Sequence, residues 1–163
     1  MIILGIDPGF TVTGFGLIKK DKSTVQLLDY GYLKMSSSKH LSERIGIFYD
    51  FMTEKIEKNH VTDISLETPF LGKNAQNFLK LGYLRGILYL LANRHSLALN
   101  EFSPREVKQA VTGYGGASKE QVARVVLQLF PRMKMPDKLD VTDALAVTLC
   151  GLWRNKNLSL LLR

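Results

Sequence analysis

Residues 2–7, IILGID, restrict the fold more than any other stretch of this chain. A strand with one face in water alternates apolar and polar residues, whereas a continuous apolar run demands cover on both faces. The run is far shorter than the ~20 apolar residues of a membrane span, and it stops at Asp7, Pro8 and Gly9. It therefore predicts a central strand in a sheet with helices on both sides. It also leaves a carboxylate at the strand end, followed at once by a turn. Asp7 in that place suits two jobs. One belongs to a phosphate-binding hairpin that holds a nucleotide; the other is that of a metal-bound acid aimed at a nucleic-acid backbone.

The rest of the sheet and its cover follow in order. Segments 11–20 (TVTGFGLIKK) and 25–35 (VQLLDYGYLKM) are rich in β-formers and are joined by DKST at 21–24. With the first run they predict a three-strand antiparallel meander. Leu41, Ile45, Phe48, Met52 and Ile56 then recur at three- and four-residue steps, one face of a helix within 36–60. A strand at 61–67, a loop at 68–74, a long apolar helix at 75–95 and a strand at 96–102 follow. Ser103, Pro104 and Glu106 form a helix start, and Ser118 with Gln121 forms a second. Helices are predicted from these starts to about Val111 and over 118–130, with a last one at 139–156. The order β-β-β-α-β-α-β-α-α-α predicts an α/β fold. Its sheet is mixed and five-stranded, three antiparallel meander strands plus two parallel strands, with helices on both faces. Residues 1–156 are expected to form a single domain, followed by a short C-terminal tail, 157–163.

Charge narrows the partner. Lys plus Arg number 22 against 15 Asp plus Glu, a net charge of +7, which favours nucleic acid first and an acidic membrane surface second. The single cysteine, Cys150, cannot form an internal disulfide and lies in an apolar helical pattern, so it reads as core filler in a reducing compartment. No signal-peptide pattern and no membrane span is visible, so a cytoplasmic protein without membrane association is expected.

Four acids stand where chemistry can use them. Asp7 ends the first strand and Glu67 the fourth, and the ends of strands are where open α/β sheets bind ligands. Asp140 and Asp143 lie three apart on the last helix and share a face, with Val141, Leu145, Thr148 and Leu152 as its core contacts. Four clustered carboxylates repel one another unless cations neutralise them. Hard divalent ions with oxygen ligands do so, Mg²⁺ above all, and two such ions about 4 Å apart can clamp a phosphodiester and activate water. Taken singly, each acid also fits a plainer role: a turn residue at Asp7, a solvated strand end at Glu67, a helix cap at Asp140.

The motifs ILGIDPG (3–9), TGFG (13–16), LETPFLGKNAQNFLKLGYLRG (66–86), FSPREVKQAVTGYGGASKEQV (102–122) and LDVTDALAVTLC (139–150) occur in that order over residues 2–152. As a set they resemble the RuvC family of Holliday-junction resolvases, within the RNase H-like superfamily. The resemblance implies that Asp7, Glu67 and Asp140 are catalytic acids binding two Mg²⁺ ions per site, with Mn²⁺ as a substitute. Asp143 is the fourth acid, at a position where some members carry histidine, so general-base roles argued for histidine do not transfer directly. It implies a DNA-probing loop after Glu67, with Phe70 stacking at the junction point, where base stacking contributes about 1–3 kcal/mol. Lys108 and Lys119 resemble basic residues beside the site that hold the scissile strand, and Lys73, Lys80 and Arg85 extend the candidate basic surface. The family acts as a homodimer on a four-way DNA junction and works with a branch-migration helicase. Helix 75–95, with Gly82 and Gly86 four apart, resembles its dimer element.

The implied activity is a Mg²⁺-dependent, structure-specific DNA endonuclease. It resolves Holliday junctions by paired symmetric nicks in recombination and repair, leaving 5′-phosphate and 3′-hydroxyl ends. Three other readings stay open on the sequence. An RNase H-like nuclease acting on structured RNA would use the same acids. A non-catalytic junction-binding protein would use the same fold. GIDPGFTVTGFG (5–16) also resembles the first phosphate hairpin of sugar kinases and actin-like ATPases, although that fold needs two lobes and 163 residues supply one.

Overall fold

The computed structural model describes residues 1–22, 24–69 and 75–161, with side chains described through Arg154. The elements are β1 (Ile2–Asp7), β2 (Val12–Asp21), β3 (Thr24–Lys34), α1 (Leu41–Asn59), β4 (Asp63–Glu67), α2 (Ala75–Arg94), β5 (Ala98–Phe102), α3 (Pro104–Thr112), α4 (Lys119–Leu129) and α5 (Leu139–Leu161). One five-stranded sheet runs in the order β3-β2-β1-β4-β5. β1 pairs antiparallel with β2, and β2 with β3; β1 and β4 run parallel, as do β4 and β5. The apolar run is thus the middle strand, buried from Ile3 to Ile6.

Side chains of a strand alternate between faces, and the sheet divides its core accordingly. Leu4, Ile6, Phe15, Leu17, Ile64 and Leu66 pack with Phe48, Met52 and Ile56 of α1 and with Leu84, Leu88 and Leu91 of α2. Ile3, Ile18 and Phe102 pack on the other face with Val107 and Val111 of α3, Val122 and Val126 of α4, and Val141 and Leu145 of α5. Cys150 is buried in that second cluster, and burial pushes its thiol up to about 11, so it stays a protonated apolar group.

α5 lies directly on β1 and β2 because glycines leave room for it. A Cβ at Gly14 would overlap the Asp140 carbonyl oxygen. One at Gly5 would collide with the Thr148 hydroxyl and come within 2.5 Å of the Ala144 carbonyl oxygen. Close approach of backbone to backbone is a use that only glycine serves. Val141, Leu145, Thr148 and Leu152, the face expected to be buried, are all buried.

The starts of α3 and α4 are as expected. Ser103 Oγ accepts from Glu106 N and Ser118 Oγ from Gln121 N. Three boundaries differ by more than one residue. β4 and β5 each begin two residues later than read, because α1 and α2 are followed by left-handed residues, His60 at φ 51° and Ser96 at φ 53°. Val61 N–H and Leu97 N–H then donate back to Ile56 and Ala92 carbonyls, at 3.1 and 2.8 Å, so these residues belong to helix ends. α5 runs on to Leu161, past the expected end at 156, since neither Gly nor Pro follows Gly151 to stop it.

Candidate active site

The parallel register of β1 and β4 pairs Ile6 with Leu66, one residue short of the two strand ends. Asp7 and Glu67 therefore come side by side at the end of adjacent strands. Alternation sets their face. Ile6 and Leu66 point to α1 and α2, so Asp7 and Glu67 point to α5. The antiparallel register pairs Asp7 with Gly14, and Gly14 is the glycine over which the Asp140 backbone lies. The first turn of α5 is thereby brought to the strand ends, with Asp143 one turn on.

The turn that follows Asp7 is closed by Thr13. Its hydroxyl donates to the Gly9 carbonyl at 2.8 Å and accepts from Gly9 N–H at 3.2 Å. From outside the sheet, Arg44 of α1 donates to the Phe10 carbonyl and lays its guanidinium 4.4 Å from the Phe10 ring centre. The Arg44 clamp has no recognisable motif, since its two residues lie 34 positions apart.

The acids feel one another. Burial, first, and then the negative charges of Asp143, Glu67 and Asp140 push the Asp7 carboxyl from 3.8 up to about 7. Glu67 is raised as well, by burial and then by Asp143, against the opposing charges of Lys119 and Lys108. Lys119, the first residue of α4, places its ammonium 2.7 Å from Asp143 Oδ2, and this hydrogen bond raises its own pKa. The lysine side chain is 66% exposed, so it closes the cluster from the solvent side.

Six expected residues thus act on one another's charge around the ends of β1 and β4: Asp7, Glu67, Asp140, Asp143, Lys108 and Lys119. Lys80 lies exposed on α2, outside this group. Arg85 is a correction. It does not extend a basic surface: it is buried, 7% exposed, and its guanidinium donates to the Glu67 carbonyl oxygen and pairs with Glu101. Phe70 and Lys73 lie outside the described residues. Glu101 was missed, though an acid two residues after Leu99 on the inward face of β5 was the available sign.

Among the described residues, no three Asp, Glu, His or Cys side chains close tightly enough on one point to hold an ion. The donor set nonetheless fits a hard divalent cation. It consists of carboxylate oxygens, and burial, together with their mutual repulsion, leaves Asp7 only about half ionised at neutral pH without added positive charge.

Comparison with known proteins bears on the family and the fold. The family model described as "Crossover junction endodeoxyribonuclease RuvC" matches residues 3–151. The chain is 45% identical over 157 residues to a crossover junction endodeoxyribonuclease RuvC from Chlorobium phaeobacteroides, covering 96% of this chain and 84% of that protein. It is 38% identical over 161 residues to the Legionella pneumophila protein of the same name, covering 99% and 92%. Among solved structures, Thermus thermophilus RuvC in complex with Holliday junction substrate superposes with a TM-score of 0.88 at 27% identity, over 95% of this chain and 94% of that one. The yeast mitochondrial Holliday junction resolvase Ydc2, at 14% identity and a TM-score of 0.66 over 91% and 76%, shares the fold.

Proposed function

The chain belongs to the RuvC family of crossover junction endodeoxyribonucleases, and from that premise we propose that it resolves Holliday junctions with Asp7, Glu67, Asp140 and Asp143 as its catalytic acids. The observation that carries this reading is the convergence of the four acids where β1, β4 and α5 meet, with Asp7 pushed up to about 7. A nucleotide phosphate would meet four carboxylates there. A phosphodiester can enter only with cations, and a family of junction nucleases supplies that context.

The four acids would hold two Mg²⁺ ions, or Mn²⁺ in their place. Bound there, the metal supplies positive charge to the phosphate and a water acidic enough to attack in line. The protein's own residues do the rest. Asp7 and Glu67 are fixed by strand pairing, and Asp140 by the close seat of α5 over Gly14, so the acids are held before substrate arrives. Lys119 stands at the first turn of α4, where the helix N-terminus also favours a phosphate. An incoming phosphate offers its ammonium a second acceptor beside Asp143. Lys108, close enough to Glu67 to act on its charge, steadies the same strand.

Phe70 would stack on an opened base step at the junction centre, with Lys73 and Lys80 on neighbouring phosphates. Two copies would cut opposite strands. α2 carries a face suited to that pairing: Leu79, Tyr83 and Leu90 are exposed along it, and nothing lies within 4 Å of a Cβ built at Gly82 or Gly86. A branch-migration helicase would deliver the junction, and the cytoplasm is the compartment. No helix among the described residues is long and apolar enough to cross a membrane.

The decisive experiment offers the purified protein synthetic four-way DNA and RNA junctions over a Mg²⁺ titration, with the four acids replaced one at a time by Asn or Gln. Paired symmetric nicks in the DNA junction, lost in each variant, are expected. Equal nicking by Asp7→Asn, or preference for RNA, would sink the reading.

A further inference from the structure

Arg85 stands out once the acids are placed. It is a charged residue with 7% of its surface exposed, and none of the roles above uses it. Its guanidinium spans two strands. Nη1 donates to the Glu67 carbonyl oxygen at 2.6 Å, and Nη2 pairs with Oε1 of Glu101. The same Glu101 oxygen accepts from the Tyr89 hydroxyl at 2.8 Å. Glu67 is the last residue of β4, and the chain leaves the sheet through Thr68 and Pro69. Arg85 therefore grips the backbone of a site acid where strand pairing ends, from the face of the sheet opposite the acids.

Stability is a poor reason for such a pair. Burying the guanidinium against a carboxylate that stays 31% exposed costs about as much as their attraction returns, and apolar residues of the same size commonly serve as well or better. What a guanidinium adds is direction, since its planar fork fixes two acceptors at a set angle. We infer that Arg85 is a positioning residue: it holds the Glu67 backbone so that the Glu67 carboxylate keeps its place beside Asp7. This rests on the nuclease reading above. It also ties the site to α2. Arg85 lies between Gly82 and Gly86 in sequence, so the helix offered to a second copy on one side grips a site acid on the other.

The test uses the full chain and two variants. Arg85→Lys keeps a cation for Glu101 but cannot reach both acceptors with one fork. The double variant Arg85→Met with Glu101→Leu removes the pair and leaves the space filled. Melting temperature, junction affinity in EDTA, single-turnover cleavage at saturating protein, and Mg²⁺-induced thermal stabilisation are measured beside the unaltered protein. Both variants are expected to bind the junction within about twofold and to cut about 10–100-fold more slowly, the range that a small misplacement of a reacting group produces. The Mg²⁺ concentration giving half of the thermal stabilisation is expected to rise several-fold. Unaltered cleavage by a folded variant overturns the inference, as does a rate loss wholly explained by weaker junction binding. If the double variant does not fold, Arg85→Lys decides. If the unaltered protein cuts no junction, the nuclease reading fails by itself. The Mg²⁺ titration then decides for Arg85, and an unmoved midpoint in Arg85→Lys overturns its role.

Discussion

Replacing Asp7 by Asn should make the metal-free protein more stable while abolishing cleavage. A carboxyl moved from 3.8 to about 7 holds its proton more tightly in the folded chain than in the unfolded one. Between those two values the folded state binds more protons, so stability falls as pH rises through the window and levels off above it. At about 1.4 kcal/mol per tenfold change in proton affinity, the cost at pH 8 is about 4 kcal/mol. It is about 2 kcal/mol at pH 5 and vanishes near pH 3. Asn is nearly the same shape and never ionises, so the variant escapes this cost. For a chain of this size, about 2–4 °C per kcal/mol gives a gain on the order of 10 °C at pH 8, and less than half of that at pH 5. Thermal melts in EDTA across pH 4–8 measure it. Saturating Mg²⁺ should close the gap, because the ion stabilises the carboxylate that Asn lacks. A variant no more stable than the parent at pH 8, or a gap independent of pH, would refute the argument that burial, reinforced by the neighbouring acids, sets the state of Asp7.

Other expectations follow from the same geometry. Gly14→Ala should destabilise by about 1–3 kcal/mol through overpacking against the Asp140 backbone and cut cleavage sharply. Gly46→Ala, with nothing within 4 Å of its added methyl in α1, should stabilise by about 0.5–1 kcal/mol; urea melts compare the two. Lys119→Met should leave junction affinity within a few-fold and slow single-turnover cleavage by about 100-fold or more. Leu90→Glu on the exposed face of α2 should shift the protein towards monomer in light scattering and unpair the two nicks, with stability changed by no more than about 0.5 kcal/mol. Junction affinity should fall at least about tenfold between 50 and 200 mM salt, read by a binding titration.

The elements were legible because each writes a period into the sequence. The apolar run gave β1, the three- and four-residue steps gave α1, and the Ser-x-x-Glu and Ser-x-x-Gln pairs gave the starts of α3 and α4. Asp7 and Glu67 were legible as strand ends, and their meeting followed once β1 and β4 were neighbours. What stayed hidden depends on partners far away in the chain. Arg85 looked like any helix arginine because its acceptors, the Glu67 carbonyl and Glu101, lie on other strands. His60 and Ser96 gave no sign of left-handed backbone, which glycine usually marks.

The seat of α5 across β1 carries one more consequence, for the order of synthesis. Asp7 emerges among the first residues, whereas Asp140 and Asp143 arrive with a helix some 130 positions later. A product broken off anywhere before Leu139 holds at most two of the four acids and lacks α5, which packs on their face of the sheet. With the four acids acting as proposed, truncated products should therefore be unable to cut: the last two acids arrive with the helix that completes the core on that face of the sheet.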